Sequence, residues 1–412
     1  MLAYDSFRLP NGLRVITHQV PHSQVALFNI MYKVGSGNEK PTQTGIAHLL
    51  EHLMFSRSKN VPNYDKALQK VGGQNNAYTT FDVTNYYCIL PVANLETAFW
   101  LESDRMYHLA CDESHLEVQR KVVIEEFNQT CFNKPYGDLW HHLLPMAYRN
   151  HGYSWPTIGK NIKQIENISL ADIHAFAKRF YTPDNAVIVV AGGVTANEVK
   201  KLSEKWFDQG APSLPQYHNT TLQPQQQKKG LRKKVHGKVP FNLLLHAYHI
   251  PPRQDKAFLS LSLLAHLLGS GKSSLLYEKL VHELHWLTDV SVDTLDTLSG
   301  GLFLIEAELN DNTTFAQVED AIYRIIDTLC HNTIDTSLWE KAKNQLESEY
   351  AFTHMSLFDR ADTLAFSTWV ESPNFFNIEI SNRLHALEAK KMQEDAIKYL
   401  QKKEAIVLSY SK

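Results

Sequence analysis

The sequence predicts an α+β fold of two similar domains, each an antiparallel-rich sheet packed by helices on one face. Three observations lead there. At 412 residues the chain is too long for one ordinary core and fits two domains of about 200 residues each. A polar, basic stretch at 220–234, containing Gln-Pro-Gln-Gln-Gln-Lys-Lys-Gly-Leu-Arg-Lys-Lys, has too little apolar content to bury a core and divides the chain near its middle. On both sides of it the order apolar strand, glycine turn, helix recurs. The expected organisation is a first domain at 1–219, a connector at 220–234 and a second domain of similar plan at 235–412.

Taken in order, residues 7–17 read as two strands around the Asn11-Gly12 turn. Residues 25–33 form an apolar strand followed by Gly35-Ser-Gly37. Residues 42–55 read as a helix, with Ile46, Leu49, Leu50, Leu53 and Met54 at helical spacing and Thr42 or Thr44 as its cap. Residues 72–90 supply two more strands. Residues 116–127 read as a helix with an apolar stripe at Val118, Val122 and Phe127. Residues 185–194 are a buried strand that ends in a glycine turn. The second half restarts with an apolar strand at 241–250 and a helix at 256–268. Gly269-Ser-Gly-Lys-Ser-Ser274 superficially suggests a phosphate loop, but His266 stands where its first glycine belongs, and the run follows a helix instead of a strand.

The balance of charge is −3 with a pI near 6.7, which argues against broad attraction to nucleic acid or to a membrane surface. Cys88, Cys111, Cys131 and Cys330 form no Cys-x-x-Cys pair, so neither a disulfide framework nor a thiolate metal site is expected, and the four read as buried or inert thiols. No stretch approaches the roughly 18 apolar residues of a membrane span. The opening Met1-Leu-Ala-Tyr-Asp-Ser-Phe-Arg has no basic region followed by an apolar run, so the expected location is cytoplasmic.

The chemistry concentrates in His48-Leu-Leu-Glu-His52. Imidazoles at i and i+4 lie on one helix face, close enough to bind one metal ion, and Glu51 sits beside them as a base for water. The order His-x-x-Glu-His inverts the usual zinc-protease motif. The bland alternative is a solvated stripe of histidines. A zinc site needs a third protein ligand, and the 116–127 helix ends in Glu125-Glu126.

With the intervening Gly-Gly-Gln-Asn-Asn-Ala-Tyr-Thr-Thr and the downstream Val-Val-Ile-Glu-Glu, the chain resembles the pitrilysin–insulinase family of zinc peptidases, and in particular its short members, similar to mitochondrial processing peptidase and to bacterial two-subunit peptidases. The resemblance covers nearly the whole chain. It implies one Zn²⁺ per chain held by His48, His52 and Glu126, with Glu125 as second choice, and Glu51 as the catalytic base. It makes the 76–80 segment an exposed edge strand, with Asn76, Ala77 and Thr79 at substrate-binding positions, where an extended peptide adds through main-chain hydrogen bonds. It makes the paired domains one half of a clamshell. Two departures stand out. Where the family has a Glu two turns before the third ligand, this chain has Gln119, an uncharged neighbour of the metal. Where the family loop at 151–159 more often has Pro, this chain has Gly152.

A third departure concerns the second domain. Single-chain members carry an Arg and a Tyr seven residues apart that stabilise the oxyanion. Laying that stretch on 273–290 puts Val281 and Thr288 at those places. Valine has no donor, and threonine is too short to replace a phenol; Tyr277, His282 and His285 are neighbouring polar groups better suited to a helix face. The resemblance then implies the zinc subunit of a heterodimer whose homologous partner brings the Arg–Tyr pair. The other expectations are a self-sufficient homodimeric or monomeric peptidase and a non-catalytic structural subunit of the same fold.

Overall fold

The computed structural model describes residues 2–209, 230–370 and 379–412. In the first half the strands are β1 (Asp5–Arg8), β2 (Arg14–Gln19), β3 (Val25–Tyr32), β4 (Gln74–Thr79), β5 (Thr84–Pro91) and β6 (Ala186–Gly192). Helices α1 (Ile46–Met54), α2 (Tyr64–Gln69), α3 (Leu95–Tyr107), α4 (Glu113–Phe127) and α5 (Leu139–Ala147) are followed by α6 (Ile162–Glu166), α7 (Leu170–Phe180) and α8 (Ala196–Phe207). The second half has β7 (Arg232–His236), β8 (Asn242–Ile250), β9 (Leu287–Leu295), β10 (Gly301–Leu309) and β11 (Ile406–Ser411). Its helices are α9 (Lys256–Gly269), α10 (Phe315–His331), α11 (Thr336–Thr353), α12 (Leu357–Ser367), α13 (Glu379–Ala386) and α14 (Ala389–Tyr399).

These elements form two compact units, and each takes a piece from the other half of the sequence. The first comprises Met1–Gln129, Trp155–Thr221 and Thr353–Ile378; the second comprises Thr130–Ser154, Leu222–Phe352 and Glu379–Lys412. The first unit holds a six-stranded sheet in the order β1-β2-β6-β3-β5-β4, and the second a five-stranded sheet in the order β7-β11-β8-β10-β9. The plans match strand for strand once β1 is set aside. β2 runs parallel to β6 as β7 does to β11, and all other neighbours are antiparallel.

In the first unit, Phe28 on β3 points into the helical layer, edge-on to Phe99 of α3 at 4.9 Å and stacked on Phe207 of α8 at 6.3 Å. The opposite face of the same sheet is covered as well. Ala361, Leu364 and Ala365 of α12 pack on Leu27, Met31, Val187 and Val189. A central strand buried on both faces has no polar side, which is why β6 reads as an unbroken apolar run and every one of its residues is buried. In the second unit, α9, α10, α11 and α14 cover one face of the sheet around Leu244, Tyr248 and Phe303. From the Thr130–Ser154 piece, Tyr136 donates to the Phe241 carbonyl at 2.7 Å, and Asp138 accepts from Tyr410 of β11 at 2.9 Å.

Three local expectations are corrected. Of the connector at 220–234, residues 220–229 lie outside the described residues, while Arg232–Lys234 belong to β7 and pair with Val407–Ser409. An edge strand needs only its backbone for pairing, so a polar sequence suffices. The apolar stripe on α4 holds only at Phe127: Leu116, Val123 and Phe127 are buried, while Val118 and Val122 are 58% and 45% exposed. Neither Thr42 nor Thr44 caps α1. Its N-cap is Gly45, and the Thr44 hydroxyl is engaged with Gln164 and with the Lys160 N–H at 2.8 Å. The four cysteines are buried and form no disulfide, and among the described residues no helix is long and apolar enough to cross a membrane.

Because Phe28 joins the helical layer to the sheet and is fully buried, Phe28→Ala should cost about 3–5 kcal/mol of stability. The midpoint of urea unfolding would measure it, and a loss below about 1 kcal/mol would show that this layer collapses around the gap.

Candidate metal centre

Helix α1 is nine residues long and nearly all buried. Its apolar residues Ile46, Leu49, Leu50 and Leu53 face the core, which leaves His48, Glu51 and His52 on one side. Its C-terminal end is fixed by aromatic packing. Phe55 lies edge-on to Tyr64 at 5.8 Å and beside Tyr86 at 5.9 Å. The Arg105 guanidinium sits over the Tyr86 ring at 4.3 Å while its Nε donates to buried Glu102 at 2.6 Å.

Helix α4 packs against α1 through its own buried face, and this carries Glu126 to the two imidazoles. His48 Nε2 is 3.7 Å and His52 Nε2 is 3.4 Å from Glu126 Oε2. One ligand atom from each of the three lies within 4.8 Å of the others, and among the described residues they are the one group of three or more metal-capable side chains. The set fits zinc. Two imidazole nitrogens and a carboxylate oxygen are a common catalytic donor set, and bonds of about 2.0–2.1 Å place tetrahedral ligand atoms about 3.3 Å apart. The rings stand nearly perpendicular with centroids 4.8 Å apart, so each turns a nitrogen toward the same space without stacking. Glu125, the alternative third ligand, is exposed and accepts from Gln129 at 3.0 Å instead.

The electrostatics differ between the two imidazoles. Burial, with a smaller push from His52, lowers the pKa of His48 to about 4 against the pull of Glu126, so its ring is neutral and able to ligate. Burial also disfavours charge on His52, but Glu126, Glu51 and a hydrogen bond that the ring donates to Gln119 outweigh it, and the net shift is upward. The His52 bond holds the Glu126 carboxyl below the usual range against burial. Gln119 thus touches His52.

Glu51 is 9% exposed, and burial raises its pKa. Its carboxylate accepts a hydrogen bond from the Thr79 hydroxyl. Strand β4 is the sheet edge, paired only with β5, with Ala77 opposite Tyr86 and Thr79 opposite Thr84. Of the three residues expected to bind substrate, Thr79 is thus brought to the Glu51 carboxylate. Asn76 and Ala77 stay on the strand, where the Asn76 side chain accepts the Ala77 N–H at 2.8 Å. The Thr79–Glu51 contact is absent from the sequence reading. Its signal is that i and i+2 on an edge strand share a face, so Ala77 and Thr79 both turn toward α1.

Removing either imidazole leaves two donors, so His48→Ala or His52→Ala should abolish stoichiometric zinc, read by elemental analysis after dialysis. Zinc content equal to the unaltered chain would reject the ligand set.

Comparison with known proteins places these features in context. Residues 14–161 match the model of the insulinase peptidase family M16, and residues 167–346 match that of the M16 peptidase inactive domain. A zinc protease of Helicobacter pylori, PqqE, is 30% identical over 367 residues, which are 88% of this chain and 82% of that protein. An uncharacterized zinc protease of Mycobacterium leprae is 29% identical, covering 82% of this chain and 76% of its own length. The crystal structure of a protease from Helicobacter pylori superposes over the full length of both chains with a TM-score of 0.91 at 27% identity. An M16 inactive-domain protein of Pseudomonas fluorescens shares the fold with a TM-score of 0.89 at 15% identity, covering all of this chain and 98% of its own. Both in sequence and in fold, the chain belongs to the insulinase (M16) family of peptidases, in its short two-domain form.

Proposed function

We propose that this chain is the zinc-bearing subunit of a peptidase that hydrolyses peptides or small unfolded proteins, and that it works with a homologous partner chain inside a dimeric chamber. The observation that carries the reading is the meeting of His48, His52 and Glu126 beside Glu51, which is itself bonded to the edge strand through Thr79.

His48, His52 and Glu126 hold the ion, and zinc bound there supplies Lewis acidity that polarises a peptide carbonyl and acidifies water. Glu51 takes the proton of the attacking water on its carboxylate and returns it to the leaving amine. Burial raises the Glu51 pKa and so makes that carboxylate a stronger base, while the Thr79 hydroxyl keeps it turned toward one place. The free edge of β4 accepts an extended peptide by strand addition, which selects for an unfolded backbone and not for a sequence. Asn76, Ala77 and Thr79 are the residues assigned to that edge. Gln119 orients His52.

The need for a partner rests on the second half. Val281 packs on the core of the second unit, and the Thr288 hydroxyl is turned to Glu308 of the neighbouring strand at 3.3 Å. Neither offers a donor to a developing oxyanion. His282 is engaged with Glu278 at 2.9 Å and His285 with the Val281 carbonyl at 3.1 Å, as residues on a helical surface would be.

Two outcomes test this reading. Glu51→Gln should retain zinc and lose about 10²–10⁴-fold in peptide hydrolysis; a variant as active as the unaltered chain would reject the base. The isolated zinc-loaded chain should turn over about 10²–10³-fold more slowly than its complex with an Arg–Tyr-bearing homologue. Equal rates would make the chain self-sufficient, and a chain that takes up no zinc would belong with the non-catalytic subunits.

A further inference from the structure

Helix α1 has an unusual beginning. The first turn of any helix leaves backbone N–H groups without partners, and a Ser, Thr, Asp or Asn at the N-cap normally accepts one of them. Here the N-cap is Gly45, with φ of +89°, and it contributes no side chain. No side chain fits there: a Cβ would stand 2.9 Å from the Ile158 carbonyl oxygen and 3.3 Å from the Ile165 side chain. A local cap is therefore excluded by space and by backbone conformation together.

Glu39, six residues upstream, fills the role from a distance. Its side chain is 7% exposed on a residue basis, and both carboxylate oxygens are occupied. Oε2 accepts the Gly45 N–H at 3.0 Å and Oε1 the Ala47 N–H at 2.9 Å. The Ile46 N–H is a further donor. The Trp155 indole donates to Oε2 at 2.8 Å, and the Lys160 ammonium stands over the Trp155 ring at 4.5 Å. Burial raises the Glu39 pKa, and the N–H donors oppose that rise. Every direct partner donates, an arrangement that suits a carboxylate at the positive end of a helix. Ala47 immediately precedes His48.

We propose that Glu39 is a positioning residue for the metal centre: it clamps the first turn of α1 and thereby sets where His48 stands relative to Glu126. The proposal rests on the zinc reading above. Packing alone holds the apolar side of α1, but the helix has only nine residues, and its axial position and rotation are fixed by what holds its two ends. The aromatic cage around Arg105 holds one end. Glu39 holds the other.

Glu39→Gln is the sharpest probe, because either orientation of the amide turns an NH₂ group toward backbone or indole donors. Zinc affinity is read by competition with a chromophoric chelator on the metal-depleted full chain, and site geometry by the visible spectrum of the Co(II)-loaded protein. The expected result is zinc bound about 10–100-fold more weakly, with an altered Co(II) spectrum. Asp395→Asn is the control for loss of a buried carboxylate: Asp395 accepts from Ser260 and from Lys391 in the second unit, and its variant should leave both readouts unchanged. If Glu39→Gln does not fold, Trp155→Phe decides. It removes one donor to Glu39 and should shift both readouts in the same direction by less. Unaltered zinc affinity and Co(II) spectrum in the deciding variant, with zinc present in the unaltered chain, overturn the role of Glu39 alone. No zinc in the unaltered chain overturns the metal reading and this role with it.

Discussion

The contact between α1 and α4 is the constraint on which the site depends. His48 and His52 come from one helix, so the 3.6-residue period sets their separation without help. Glu126 comes from another helix, and its distance to the imidazoles is set by packing. Both helices carry fully buried residues, Leu49 and Leu53 on α1 and Leu116 and Val123 on α4, and the two helices are in contact. A close-packed interface does not slide continuously, so it holds the Glu126 carboxylate at distances of 3.4 and 3.7 Å from the imidazoles. The same packing explains why two exposed valines, Val118 and Val122, lie along the Glu126 side of α4. Glu126 is itself partly exposed, and residues one and two turns before it share its side of the helix.

What could be read from the sequence follows the range of the interaction behind it. The histidine pair and its glutamate are local, and their spacing alone places them on one face. The strands around Asn11-Gly12, along β3 and along β6 announce themselves by turn chemistry and by apolar runs. The choice between Glu125 and Glu126 is different, because periodicity permits both and only the packing of α4 decides. The phase error at Val118 and Val122 has the same origin: the period of α4 is right, but the partner that selects the buried face lies elsewhere in the chain. The cap of α1 is furthest from view. A glycine N-cap carries no signal, and the carboxylate that replaces it is six residues away and held by a tryptophan at position 155. Likewise, α12 covers the first sheet from far along the chain, and nothing in its sequence names the strands beneath it.

The two units show why a shared plan does not give shared chemistry. Strand for strand, β4 corresponds to β9, and the helices before and after correspond as well, α1 to α9 and α4 to α11. Glu126 and Glu349 each lie thirteen residues beyond the first residue of their helix. His52 precedes β4 by 22 residues and His266 precedes β9 by 21. In the second unit this equivalent pair does meet, with His266 Nε2 3.1 Å from Glu349 Oε2. One turn earlier, however, where the first unit has His48, the second has Ser262, whose hydroxyl is turned back to the Phe258 carbonyl at 3.0 Å. Two such groups on facing helices make a hydrogen-bonded pair. A third, at i−4 on the same helix, is what distinguishes the first unit's group, because it adds a neutral nitrogen and makes three side chains that could hold a metal ion. The difference between the units therefore lies on α1, in His48 and Glu51 where α9 has Ser262 and Ala265, and in whatever holds that helix still.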